Sequence, residues 1–226
     1  LNVKIIDCEQ GTPDWLAARL GKPTASEFHQ IITAVRGDLS KSARKYAHQL
    51  VAETLLGRPL EKPTGTPWAM ARGTELEPLA RAQYARDEKV EVRQVGFVTT
   101  DDGRVGASPD GLIVGKRGGL EIKCLLDASH VGIWTDGPGD DFKQQVQGNL
   151  AINELDYWDL YAWHPVLTPL KIRTYRDEPY ILKMGIALAE FLAMRDELLA
   201  KVKNAGLATR EPVAVPVTFG TIRAAA

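Results

Sequence analysis

The chain has 226 residues, 44% of them hydrophobic and 25% charged, proportions that exclude a disordered or fibrous protein and supply one sizeable core. Its 28 Lys and Arg against 29 Asp and Glu leave a net charge of -1, so composition by itself proposes no nucleic-acid partner; a DNA-binding reading requires the cations to be gathered on one face or in one channel. No run approaches the ~18 apolar residues of a membrane span. The N-terminus lacks the basic, apolar, small-residue order of a signal peptide, and Cys8 and Cys124 stand in no C-x-x-C or Cys/His cluster. The expectation is a cytosolic protein with neither a disulfide framework nor a zinc site.

In chain order, "PDWLAARLG" predicts a short helix ending at Gly21, and Thr24-x-x-Glu27 a capping box opening a second helix over about 25–35. The run "ARKYAHQLVAETLLG" places Tyr46, Leu50, Val51 and Leu55 on one helical face and closes on Gly57. Residues 58–67 read as a loop. The stretch "ELEPLARAQYARDE" is helical, with Leu76, Leu79, Ala80 and Tyr84 on its face, and Thr74-x-x-Glu77 followed by Pro78 reads as a helix start. "VEVRQVGFVTT", "GRVGASPDGLIV" and "GLEIKC" predict a three-stranded meander, the last two joined by the turn "GKRGG".

A helix over 140–153 follows, with Phe142, Val146 and Leu150 in phase, and then two strands, "YWDLYAW" and "LKIRTYR". Asp177 and Pro179 open a long helix that stops near Gly206. The order predicts an α/β fold: a single domain over 1–226 with a mixed central β-sheet flanked by helices, residues 207–226 forming an irregular C-terminal tail.

The chemistry concentrates in "SPDGLIVGKRGGLEIKC", residues 108–124. Strand alternation sends Glu121 and Lys123 to one face and Leu120, Ile122 and Cys124 to the other. A turn centred on Gly115 and Lys116 places Asp110 opposite Glu121, about 5 Å apart between Cβ atoms, and a turn centred on "KRGG" slips this by one pair. Two carboxylates that close are unfavourable without a cation between them, and a hard divalent ion such as Mg²⁺, with the Ile122 carbonyl as a further oxygen, is one answer. Lys123 is then placed to orient an attacking water or offset charge on a phosphate. The other answer is an edge hairpin with a solvated Glu121–Lys123 pair and Asp110 as a turn residue, and spacing alone leaves both open.

The pattern Pro109-Asp110 followed by Glu121-Ile122-Lys123 resembles the PD-(D/E)xK nuclease motif. Together with "WLAARLGKPTAS", "RGTELEPLAR", "ASPDGL", "LEIKC" and "QVQ", in the same order and at comparable spacing, it resembles the phage lambda exonuclease family of viral recombination exonucleases. The resemblance implies a restriction-endonuclease-like nuclease core and an Mg²⁺-dependent enzyme, working with two ions for which Mn²⁺ can substitute. The implied activity degrades one strand of linear, 5′-phosphorylated duplex DNA from its 5′ end to mononucleotides and leaves a 3′ overhang. The resemblance further implies a homotrimer, a single-strand annealing protein as partner, and phage or prophage origin in the cytoplasm of a bacterial host.

Residue by residue, it makes Asp110, Glu121, the Ile122 carbonyl and Glu77 metal ligands, Lys123 the catalytic lysine and Gln147 a helical glutamine beside the active site. Arg19, Ser26 and Ser108 match a pocket for the terminal 5′-phosphate, chemistry that suits a guanidinium fork and hydroxyls. Arg36 matches a basic residue reaching into the duplex. Trp15 lines that pocket or belongs to the core, and His29, His48, His130 and His164 read as structural. Two rivals use the same residues: an endonuclease or junction-cleaving enzyme, and a non-catalytic DNA-binding protein with a structural metal.

Overall fold

The computed structural model describes residues 3–60, 67–139 and 141–210. Helix α1, Pro13–Arg19, is capped by Thr12, whose hydroxyl accepts from the Trp15 amide, with Pro13 in the first turn. The second helix is shorter than its sequence implies: a 3-10 turn, Ala25–Glu27, leads into α2, Phe28–Ile31. Consecutive β-branched Ile31, Ile32 and Thr33 disfavour continuation, and Ile32 turns extended to bridge Leu39. Thr24 makes no side-chain cap, because its hydroxyl is engaged by Arg19. Helix α3, Ala43–Leu56, follows its predicted bounds and ends on left-handed Gly57.

Helix α4, Pro67–Glu88, starts earlier than expected and runs through Thr74 and Pro78, so the expected helix start at Thr74 is not formed. The ring at Pro78 removes one backbone donor from the helix, and packing of Ala80 and Tyr84 against the sheet carries the segment across it. Helix α5, Asp127–Asp136, was not legible, since Gly132 sits inside it and its apolar positions lack a consistent period. Helices α6, Asp141–Asn153, and α7, Glu178–Asn204, match expectation; Asp177 caps α7 by accepting from the Tyr180 amide at 3.1 Å. The expected tail lies outside the described residues beyond 210.

The predicted meander is divided between two sheets. Strands β1 (Lys4–Ile6), β3 (Phe97–Thr99) and β4 (Gly106–Ala107) form a small antiparallel sheet in the order β1-β3-β4. Strands β2 (Val92–Arg93), β5 (Gly111–Ile113), β6 (Gly118–Cys124), β7 (Tyr157–Trp163) and β8 (Leu170–Tyr175) form the main sheet in the order β2-β5-β6-β7-β8. Within it only β6 and β7 are parallel, their crossover made by α5 and α6. The chain changes sheet at 94–96 and again at 108–110. Pro109 has no N–H for a ladder, and a Cβ on Gly96 would stand 2.1 Å from the Cys8 carbonyl oxygen. Gln10 bridges the two breaks, its amide donating to the carbonyls of Val95 at 3.0 Å and Pro109 at 2.9 Å.

The hairpin β5-β6 pairs Gly111 with Leu120 and Leu112 with Gly119, the register of a turn at Gly115 and Lys116. Gly118 and Gly119 belong to the strand rather than the turn. A Cβ on Gly119 would meet the Trp158 ring at 2.1 Å, and one on Gly118 the Tyr157 ring at 2.2 Å, so the glycines make room for aromatics on β7. Leu120 and Ile122 pack with Ala80 and Tyr84 of α4, whereas Trp158 packs with Val146 and Leu150 of α6. The main sheet is therefore covered on both faces, and Glu121 and Lys123 point to the α6 side. A larger core joins α2, α3, α7 and the small sheet around Phe28, Ile31, Leu50, Val98, Met184 and Phe191.

Candidate active site

The chain reaches Asp110 as it leaves the small sheet and enters β5. Beyond the end of β5 the Ile122 amide has no strand to pair with, and Asp110 Oδ2 takes it at 2.6 Å. This pins the Asp110 carboxylate against β6. Glu121 is buried, at 5% exposure, and its Oε1 accepts from Lys123 Nζ at 2.6 Å and from Gln145 Nε2 at 2.8 Å. From the other side α4 brings Glu77, whose carboxylate accepts from Arg81, and Arg81 Nε also donates to the Asp110 carbonyl at 3.1 Å. Three carboxylates thus face two cations.

The imbalance shows in the ionisation of the groups. Asp110 is held well above the usual carboxylate range, first by burial and then by the charges of Glu121 and Glu77, against the opposing pull of the Ile122 amide and Lys123. Burial works to lower Lys123, but Glu121, Asp110 and Glu77 outweigh it and raise the lysine, so it stands as an ammonium. Among the described residues no three carboxylate, imidazole or thiol groups close on one point at metal-ligand spacing. Glu77 is drawn to Arg81 and Glu121 to Lys123. The donor set is nonetheless all oxygen, crowded and short of positive charge, which fits a hard divalent cation.

Two residues before Asp110, Ser108 belongs to a second cluster. Its Oγ accepts from the Arg19 guanidinium at 2.8 Å and from the Trp15 indole N–H at 2.9 Å. Arg19 stacks 4.2 Å from the Trp15 ring centroid and reaches Thr24 Oγ1 at 3.4 Å, which lies 3.3 Å from Ser26 Oγ. Trp15 therefore joins the Arg19, Ser26 and Ser108 set rather than the core. Burial pulls Arg19 below its usual pKa, and its side-chain hydrogen bonds go to hydroxyls, with no ion pair among the described residues. A half-buried guanidinium whose hydrogen bonds go to hydroxyls, with Glu27 and Glu53 near enough only to act through their charge, has the chemistry that suits an anion.

The glutamine expectation is corrected. Gln147 is buried and spends both ends of its amide away from the acids, donating to the Tyr175 carbonyl and accepting from the Asp177 amide, each at 2.9 Å. Gln145 stands beside the carboxylates instead. Residues two apart on a helix face about 200° apart, so only one of the pair in "QVQ" can reach β6, and packing selects Gln145. The preceding residue, Gln144, donates to the Ile32 carbonyl at 3.2 Å, at the root of the loop 32–39. Arg36 lies on that loop, 75% exposed and paired with Asp38 at 3.0 Å, and it joins neither cluster.

Of the histidines, His130 is buried with Nε2 2.8 Å from the Thr168 carbonyl, and His164 Nε2 lies 2.9 Å from Asp127 Oδ1. Sequence reasoning missed Arg81, Gln145, Thr24 and Gln10. Arg81, Thr24 and Gln145 each lay inside a stretch that carried the resemblance, "RGTELEPLAR", "WLAARLGKPTAS" and "QVQ", and Gln10 carried no signal.

The family profile of the YqaJ-like viral recombinase domain matches residues 14–156. Among solved structures, the alkaline exonuclease LHK-Exo from Laribacter hongkongensis is similar with a TM-score of 0.76 at 31% identity, covering 86% of this chain and 98% of that one. The same enzyme in complex with dAMP gives the same values. A phage related exonuclease from Haemophilus somnus 129PT shares the fold, with a TM-score of 0.65 at 14% identity over 80% of this chain and 96% of that one. No curated protein matches the sequence. The match over residues 14–156 includes the residues of both clusters, and the chain belongs to the YqaJ-like viral recombinase family, a nuclease with the restriction-endonuclease-like α/β fold of the alkaline exonucleases.

Proposed function

We propose that the protein is an Mg²⁺-dependent 5′-to-3′ exonuclease that engages linear duplex DNA at a 5′-phosphorylated end and releases mononucleotides from one strand, leaving a 3′ single-stranded overhang. The observation that carries this reading is the two-residue separation of Ser108, in the anion receptor, from Asp110, among the carboxylates. A terminal phosphate held by Arg19, Ser108 and Ser26 sets the next phosphodiester within reach of the acids. LHK-Exo in complex with dAMP supports a nucleoside monophosphate as product.

Asp110, Glu121, the Ile122 carbonyl and Glu77 would hold Mg²⁺, in the reading a pair of ions. Bound there, the metal supplies an activated water and Lewis-acid stabilisation of the phosphate. The chain's own part is positional and electrostatic. Lys123, an ammonium beside Glu121, offsets charge that builds on the phosphoryl oxygens, and Gln145 fixes the Glu121 carboxylate. Water attacks phosphorus, the bond to the 3′ oxygen of the terminal nucleotide breaks, and that oxygen leaves with a proton. The strand that remains carries a new 5′-phosphate, which Arg19 and Ser108 can take for the next step.

Asp110→Ala and Lys123→Ala are each expected to abolish nucleotide release in Mg²⁺ from linear duplex, and full activity in either sinks the assignment. Arg19→Ala is expected to erase the preference for 5′-phosphoryl over 5′-hydroxyl ends; an unchanged ratio removes the pocket. Closed circular duplex separates the rivals, since an endonuclease cuts it and an exonuclease does not. Metal-dependent binding without product, indifferent to Lys123→Ala, identifies a non-catalytic DNA-binding protein. The reading includes a homotrimer, a single-strand annealing protein as partner, and action in the cytoplasm of a bacterial host. No described helix is long and apolar enough to cross a membrane.

A further inference from the structure

We infer that Lys41, Arg44 and Lys45, with His48 one turn beyond Arg44, form a binding surface for the phosphate backbone of the duplex, on a different element from both clusters of the active site. The inference rests on the reading of the protein as a DNA exonuclease.

All four side chains are exposed, and among the described residues none has a hydrogen bond or an ion pair. From Leu39 to Ala52 the sequence contains no Asp or Glu. This is unlike many of the protein's other cations, which are neutralised locally: Arg36 by Asp38, Arg104 by Asp196, Arg117 by Asp156, Lys171 by Glu88 and Arg176 by Glu178. Arg44 and Lys45 also stand in the first turn of α3, which holds no acidic residue. The helix dipole disfavours cations there, so the arrangement runs against local helix stability and a partner outside the chain is what offsets it.

The run also stands between the loop that carries Arg36, which the family resemblance matches to a residue reaching into the duplex, and the segment next to Arg19. At its start, the Ser40 amide donates to the Ile31 carbonyl at 2.6 Å, at the root of the loop that carries Arg36. Beyond it on the same helix, Glu53 accepts from the Gly21 amide at 3.2 Å, two residues past Arg19. From Lys41 to His48 the run covers about 10 Å at helical rise, or roughly three phosphate steps of one strand. Unpaired cations on flexible stems, with no aromatic or amide readers among them, suit sequence-independent binding to phosphates.

The test measures equilibrium binding of the full chain to a short blunt duplex in chelator across a range of NaCl concentrations. Replacing Lys41, Arg44 and Lys45 together by Gln is expected to flatten the slope of log K against log salt by roughly 2 to 3, about 0.9 for each phosphate that is no longer neutralised. Lys41→Gln alone is expected to flatten it by about 1. Lys201→Gln/Lys203→Gln/Arg210→Gln removes the same charge elsewhere and is expected to leave the slope in place. An unchanged slope in the first triple variant overturns the surface, as does equal flattening in the second, and an acidic protein partner is then the better occupant. Failure of the exonuclease reading is read separately, from nucleotide release by Asp110→Ala, so the two cannot be confused.

Discussion

Gln145 and Gln147 show how two like residues on one helix divide into different roles. The first touches Glu121; the second holds the backbone of Tyr175 and Asp177, where β8 passes into α7. Gln147→Ala is expected to destabilise the fold by about 1 kcal/mol, since it removes two hydrogen bonds to the partly buried backbone at Tyr175 and Asp177. Gln145→Ala is expected to lower kcat with the melting temperature nearly unchanged, and the reverse pattern in the pair would falsify this division. Asp110 makes the second residue-scale prediction. Its carboxyl is harder to ionise in the folded protein than in the unfolded chain, so its contribution to stability is present at low pH and is lost as pH rises through the elevated folded value. In chelator at neutral pH, Asp110→Asn is therefore expected to melt higher than the parent, by about 2–4 °C for each kcal/mol of repulsion relieved. If Asp110 holds Mg²⁺ as proposed, the same substitution is expected to blunt the stabilisation that added Mg²⁺ gives the parent.

At the scale of elements, the site exists because β4 and β5 are two strands rather than one. A continuous strand over 104–114 would alternate Ser108, Pro109 and Asp110 through a single ladder. The break at Pro109, clamped by Gln10, frees Asp110 to take the Ile122 amide and Ser108 to take Arg19. Strand β6 lies under this break and is buried on both faces, and Gly119 is the tightest point of its packing. Gly119→Ala would drive a methyl into the Trp158 ring, and the expected cost is about 1–3 kcal/mol, read by denaturant unfolding. Because Glu121 and Lys123 lie two and four residues further along the same strand, the variant is expected to lose activity in step with stability.

At the scale of the molecule, a net charge of -1 conceals a segregation. Glu77, Asp110 and Glu121 meet at one cluster, while exposed cations without an acid in their own segment stand along the start of α3. Such separation lets a nearly neutral chain bind a polyanion without a general affinity for it. Association into three copies is expected to give a particle of three times the chain's 24.8 kDa in sedimentation equilibrium, and a monomer at working concentration would remove that part of the reading.

The local signals of the sequence were enough for the elements whose own periodicity is strong: α3, α6, α7 and the register of the β5-β6 hairpin, because side-chain period and turn chemistry act over a few residues. That Asp110, Glu121 and Lys123 can converge was legible in the same way, with a solvated edge hairpin left open beside it. The division of the meander between two sheets, the passage of α4 through Pro78, and the choice of Gln145 over Gln147 were decided only by tertiary structure. Each depends on groups distant in the chain: Gln10 across the strand breaks, the sheet beneath Ala80 and Tyr84, and the side of α6 that meets β6. Helical period fixes which residues share a face, but which face meets the acids is set by what packs against the helix.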